Sequence, residues 1–519
     1  MHRLSGRILH LLIMISGLGL MIVFLAGCSQ GNETSSLDVA QDSYENDHDQ
    51  SVDRSEGWER PDDTAQIAAE SDEGIVSETI KPSAEEALVS ANPRPLAASD
   101  IRAVWSWAGA KGMPGRNDIS KRDVDELVAK VDAAHLNVIF LAVYRQGTAF
   151  FEPSHTRFPD DNERLTNQSL FEDEEYADAL SYLLAIRNQR RLDDNPANDF
   201  EVHAWFNVNQ GGFQRRGWPP QDRTEPYMLH ALFPEFKQKL GAYYLEDNDQ
   251  FLNHDISVIH QPKFRAYMVD LIAGLVEDYE VDGVHLDHIR MGGLCFNNDA
   301  LDYPGTEYDF PGCQEDYKAW ARENYGQEVT LWDDTDGDDT IHDEALDRVA
   351  GWQERAMGLL VNTIHDEVKA VRPEVTISVA SVRNDVSQTS MKQLISGQVA
   401  WEWLDNDWID AVFVTAYSTD TQAVVDKIQA FRDAVQNESR RSNIFPGLIT
   451  YSSENTDDNW SYLIVEQTQA VLAGSQMGSL LEPPAKGVAL YLDRRLSDEA
   501  VRLLADGPFK EAALPIWSN

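Results

Sequence analysis

Eight short runs of β-branched and aromatic residues alternate with long helical periods, and this alternation constrains the fold more than any other feature of the chain. The runs fall at 103–107, 137–144, 202–207, 283–289, 375–380, 411–415, 445–450 and 488–492. Helical periods occupy 120–135, 173–191, 262–279, 344–371, 420–437, 460–474 and 497–505, with a shorter, less regular one at 391–407. Strands that alternate with helices pair in parallel through right-handed crossovers, and eight such units close on themselves. An open doubly wound sheet is the other arrangement, but a count of eight favours closure. The expected fold is therefore α/β, a (β/α)8 TIM barrel. Capping chemistry agrees: Ser120 precedes Asp123 at box spacing, Ser497 opens the last helix with Asp498 and Glu499, and Pro373 stops the helix before it. Long insertions at 208–261 and 290–342 follow the third and fourth strands. Both leave the C-terminal rim, where barrel sites are built.

The N-terminus sets the expected compartment. Arg3 and Arg7 precede an apolar run over 8–26, and Leu25-Ala26-Gly27 leads into Cys28. That order is a secretory signal, and the small residues before the cysteine resemble a bacterial lipoprotein box, with cleavage before Cys28 and acylation of it. The run approaches the roughly 20 residues that span a bilayer, so a transmembrane anchor is the other interpretation. Residues 1–27 are then a signal peptide and 28–98 an acidic tether too poor in apolar residues to fold, leaving 99–519 for the barrel. The protein is expected to be exported and lipid-anchored to a bacterial membrane, on the periplasmic or outer surface.

The chain of 519 residues carries 88 acidic and 43 basic side chains, a net charge of −45. A field of that sign repels nucleic acid and anionic lipid, so membrane contact is expected only through the lipid. With Cys28 committed, Cys295 and Cys313 remain and are expected to pair as a disulfide. A monomer is expected.

The most informative stretch is Tyr279-Glu280-Val281-Asp282-Gly283-Val284-His285-Leu286-Asp287-His288. A helix ends, Asp282-Gly283 turns the chain, and a strand runs to Asp287. Strand alternation puts His285 and Asp287 on one side and Leu286 on the other. An acidic residue at the C-terminal end of a barrel strand is poorly explained by stability, so Asp287 is a candidate functional carboxylate. A structural pairing with Arg290 or a helix terminus is the alternative. Asp282, at the opposite end of the strand, reads as a turn or salt-bridge residue.

The segments "RAVWSW", "AAHLNVIFLAVY", "VHAWFN", "YEVDGVHLD" and "WQERAMGLLVNTIHDEVKAVRP" occur in an order that resembles glycosyl-hydrolase-like family 10, over roughly 100 to 495. The resemblance implies a TIM barrel of the bacterial envelope that acts as a glycoside hydrolase, with peptidoglycan glycan strands lacking stem peptides as a substrate known in the family. It assigns Asp287 to the family's acidic position after the fourth strand. Family members often carry a second Asp next, whereas His288-Ile289-Arg290-Met291 follow here.

Glycoside hydrolysis uses two carboxyl groups. Glu454, just after the seventh strand, is the expected partner of Asp287, with Asp493 and Asp385 as rivals. Sugars need flat apolar platforms and fixed polar groups, and Trp107, Tyr144, Trp205, Asn207, Tyr417 and Tyr451 sit at or near strand ends, as does Asp493; barrel packing is the alternative for several, since Trp205 alternates with Phe206 and only one of the two can point inward. Arg145 and Arg290 can hold a carboxylate-bearing sugar through bidentate pairing, with ordinary salt bridges as the alternative; His288 joins the candidate contacts. A carbohydrate-binding or scaffold lipoprotein on a barrel that has lost catalysis is the alternative function. No cofactor or catalytic metal is expected. The run containing Asp334, Asp336 and Asp338 resembles a calcium loop, but its first position would be Trp332, so the match fails at its anchor; a solvated acidic loop is expected, with a non-standard structural calcium site as the alternative.

Overall fold

The computed structural model describes residues 100–109, 120–145, 147–160, 171, 173, 175–192, 199–214, 237–238, 253–257, 259–291, 313–326, 343–382, 396–451, 459–472 and 480–510. Eight parallel strands form a closed ring: β1 (Ile101–Ser106), β2 (Val138–Arg145), β3 (Glu201–Asn207), β4 (Gly283–Asp287), β5 (Thr376–Ser381), β6 (Ala411–Thr415), β7 (Ile444–Ile449) and β8 (Gly487–Tyr491). Each pairs with its neighbours in sequence, and β1 pairs with both β2 and β8, which closes the barrel. This is the expected (β/α)8 architecture, with every strand within two residues of its expected place.

Nine helices are described, α1 (Lys121–Ala133), α2 (Ala179–Leu192), α3 (Pro262–Asp278), α4 (Cys313–Tyr325), α5 (Asp343–Val371), α6 (Ala400–Asp405), α7 (Thr421–Ala434), α8 (Asn459–Val471) and α9 (Asp498–Asp506). Helix α1 buries Val124, Leu127, Val128 and Val131, the spacing of one face, and starts with the capping box read from Ser120 and Asp123. The Ser497 hydroxyl accepts the Ala500 amide at 3.1 Å and caps α9.

Three expectations need correction. The second helix begins at Ala179 rather than 173, because the Asp178 carboxylate accepts the Ser181 amide at 2.7 Å and sets the cap there. In the 391–407 period only Ala400–Asp405 is α-helical among the described residues. Gly397 has φ +67, and a Cβ there would lie 2.9 Å from the Gln353 carbonyl, so the chain turns tightly before the helix starts. The fourth strand ends at Asp287 rather than 289, because His288 turns left-handed at φ +48. The insertions also carry structure of their own: a small antiparallel sheet of Gln210–Gln214, Asn253–Ser257 and Lys237–Gln238, and helix α4.

The barrel interior is filled in layers. Trp105, Phe140, His285 and Phe413 come from β1, β2, β4 and β6. Phe140 stacks on the His285 ring at 4.1 Å and meets Phe413 edge-on at 5.0 Å. The next layer up holds Trp107, Trp205 and Tyr491. Below, at the N-terminal ends of the strands, Asp282 accepts from Arg187 at 2.6 Å and from the Val202 amide at 2.8 Å, and pairs with Arg191 at 2.9 Å. Asp282 is therefore the salt-bridge residue its position suggested, on the face of a barrel where stability is built.

Candidate active site

Asp287 stands at the C-terminal end of β4 with both carboxylate oxygens engaged. Oδ1 accepts the His288 amide at 2.7 Å, and Oδ2 accepts the indole Nε1–H of Trp205 at 3.2 Å. Register explains the second contact. Trp205 pairs with His285 and Asn207 with Asp287, so the indole rises from one step below to reach the carboxylate. Asn207, buried at 2 % exposure, lies beside Asp287 on the neighbouring strand.

Tyr417, after β6, sits close enough to feel the charges of Asp287, Tyr451 and Arg290. Burial, then the Asp287 carboxylate, pushes its phenol well above its ordinary value, which keeps the hydroxyl protonated. The rings of Tyr417 and Tyr491 are 5.9 Å apart, and Tyr491 lies 6.2 Å from Trp205. Trp107 packs on Trp205 at 4.3 Å and donates its indole N–H to the Tyr491 hydroxyl at 3.3 Å. The Arg145 guanidinium lies 4.1 Å over the Trp107 ring, and that of Arg495 lies 4.9 Å over Tyr451.

The structure thus gathers Asp287, Asn207, His288, Arg290, Tyr417 and Tyr451 at one mouth, with Trp107 and Arg145 on its wall. Tyr144 is not among them. Counting by twos from the inward Phe140 points Tyr144 into the barrel, but β2 bulges between Ala142 and Tyr144. Tyr144 then pairs with Phe206, whose ring is 6.2 Å away, and turns to the helix layer, fully buried. Asp493 also stands apart. Ser106 helps hold its carboxyl, burial pushes that carboxyl up, and it lines a cavity of about 510 Å3 between the barrel, α1 and α9. Trp107 lines the same cavity, so the Trp107–Trp205 pair lies between Asp493 and Asp287.

Glu454, Asp385, Cys28, Cys295, the 28–98 tether and Asp334, Asp336 and Asp338 lie outside the described residues, as does the side chain of Cys313. Among the described residues no three His, Cys, Asp or Glu are grouped to hold a metal ion. Sequence reasoning passed over Arg495; of the alternating pair Trp205 and Phe206, it is Trp205 that points inward, toward Asp287. The register of "HAWFN" against "GVHLD" is what puts that indole one step below the carboxylate.

The sequence profile of the family described as glycosyl hydrolase-like 10 matches residues 100–462. The chain belongs to the glycosyl hydrolase-like 10 family. The matched span runs from β1 into α8 and includes all the mouth residues named above except Tyr491 and Arg495. No curated protein matches the sequence. Among solved structures, this family member is similar to the glycoside hydrolase domain of PgaB (BpsB) from Bordetella bronchiseptica, at 11% identity and a TM-score of 0.45, covering 78% of this chain and 98% of that one. It is also similar to the catalytic domain of a β-amylase from Paenibacillus polymyxa, at 10% identity and a TM-score of 0.46, covering 78% and 95%.

Proposed function

We propose that this glycosyl hydrolase-like barrel hydrolyses an anionic glycan of the bacterial envelope, with peptidoglycan strands stripped of their stem peptides as its substrate. The observation that carries the reading is Asp287, a carboxylate held at both oxygens where the barrel opens. Its surroundings suit a sugar. The phenols of Tyr417 and Tyr451 offer flat faces with a hydroxyl each, and Asn207 supplies a fixed polar side chain. The cations suit a carboxylate on that sugar. In a chain with 88 acidic residues, Arg145 and Arg495 rest on mouth aromatics, and Arg290 shares the surroundings of Tyr417 with Asp287. A muramic acid unit carries such a carboxylate on its lactyl group. Glu454 is our assignment for the second carboxyl group. Lipid attachment at Cys28 would hold the monomeric barrel at the envelope, within reach of this polymer.

The test is turnover of three polymers by the purified chain: denuded peptidoglycan strands, the same strands with lactyl carboxylates reduced to alcohols, and a neutral β-glucan. The expected result is new reducing ends from the first, a clearly higher KM on the second, none from the third, and none from any in Asp287→Asn. Binding without product across all three would establish the non-catalytic module instead.

A further inference from the structure

We infer that Trp205 is a positioning residue that commits Asp287 to act as the anionic member of the catalytic pair, the nucleophile or base, and leaves proton donation to its partner. The inference rests on the hydrolase reading and deepens it. A group that must deliver a proton presents a protonated oxygen toward the leaving atom, whereas an attacking or base carboxylate presents only lone pairs. Asp287 has an N–H aimed at each oxygen, from the indole of Trp205 and the amide of His288. With one N–H on each, both oxygens are used as acceptors, and the lone pairs left over stay available to an incoming atom.

The indole has little freedom to do anything else. Trp205 is 1 % exposed, packed on Trp107 and edge-on to Tyr491, so its N–H direction is set by the layer below the mouth. The Asp287 amide register is set as well, since the Asp287 carbonyl accepts the Val208 amide at 2.8 Å. One carboxylate rotamer is thereby selected by two fixed donors before any substrate arrives, which is how a positioning residue contributes to rate.

Trp205→Phe keeps the ring and deletes the donor. Turnover should fall about 10- to 100-fold with KM nearly unchanged. The acid limb of the pH–kcat/KM profile should move up, because the carboxylate has lost a hydrogen bond. A purely structural tryptophan would lower activity without moving that limb. An unchanged profile, or movement of the alkaline limb instead, overturns the assignment. A second measurement stands whether or not any glycan is turned over, and whether or not Trp205→Phe folds. Among the indole N–H resonances of the chain's 13 tryptophans, one should titrate with pH in the wild type and stop titrating in Asp287→Asn. If no resonance shows this pattern, the contact does not exist in solution and the proposal fails. If one does while no polymer is cleaved, the contact stands and the hydrolase reading is what has failed.

Discussion

Trp105 donates its indole N–H to Nε2 of His285 at 2.9 Å in the middle of the barrel. An indole can only donate, so Nε2 is the acceptor and the imidazole proton lies on Nδ1, where Ser378 Oγ waits at 2.9 Å. His285 shares a strand face with Asp287, yet it is a packing residue, stacked on Phe140 and wholly enclosed. Burial, with His203 nearby, holds it well below the usual histidine range.

The consequence is a sensitivity to acid. The unfolded chain takes a proton on this histidine near pH 6.5, whereas the folded chain resists until far lower pH. Its contribution is complete above about pH 6.5 and is lost as the pH falls, at about 1.4 kcal/mol per unit. His203, held near 4 chiefly by burial, adds the same dependence between about 6.5 and 4. Denaturant unfolding at pH 7, 6 and 5 should show the loss. His285→Asn should be less stable at pH 7 and should unfold with one fewer proton taken up; an identical slope in both proteins would show that the group titrates normally when folded.

Asp282→Asn should cost about 3–5 kcal/mol, because Arg187, 2 % exposed at its side chain, and Arg191 lose the anion that compensates their burial. The site is at the far end of the barrel from Asp287, so kcat should be unchanged at a temperature where the variant is folded. Urea unfolding and the turnover assay measure the two separately. A matching drop in kcat would tie the barrel floor to the chemistry.

Gly283 lies against the imidazole of His203, and a methyl group on it would run into that ring. Gly283→Ala should destabilise by about 1–3 kcal/mol through overpacking. Combined with His203→Ala, most of that increment should disappear in a double-mutant cycle. Additive effects would point to the backbone rather than to the contact.

His288 occupies the left-handed region at φ +48 while its amide holds Asp287. His288→Gly removes a backbone penalty of about 1 kcal/mol and keeps the amide. The variant should be no less stable than the parent in thermal unfolding and should retain kcat. A raised KM would show that the imidazole meets substrate; a fall in kcat would show that the backbone geometry itself depends on the side chain.

What the amino-acid order determined alone is the barrel. The strand and helix periods are local properties of the apolar pattern, and eight repeats of strand and helix leave closure as the economical arrangement. The place of Asp287 at the mouth and of Asp282 at the floor follows from the same reasoning, since one strand has only two ends. The company Asp287 keeps is a different matter. That Trp205 meets it depends on how β3 and β4 are registered, and that Tyr144 turns away depends on a bulge that resets the alternation of β2. The Asp282-Gly283 pair looked like a turn, yet the glycine is there to make room for a histidine on the next strand. Contacts between strands are decided by closure of the whole ring, and no window along the chain contains that information.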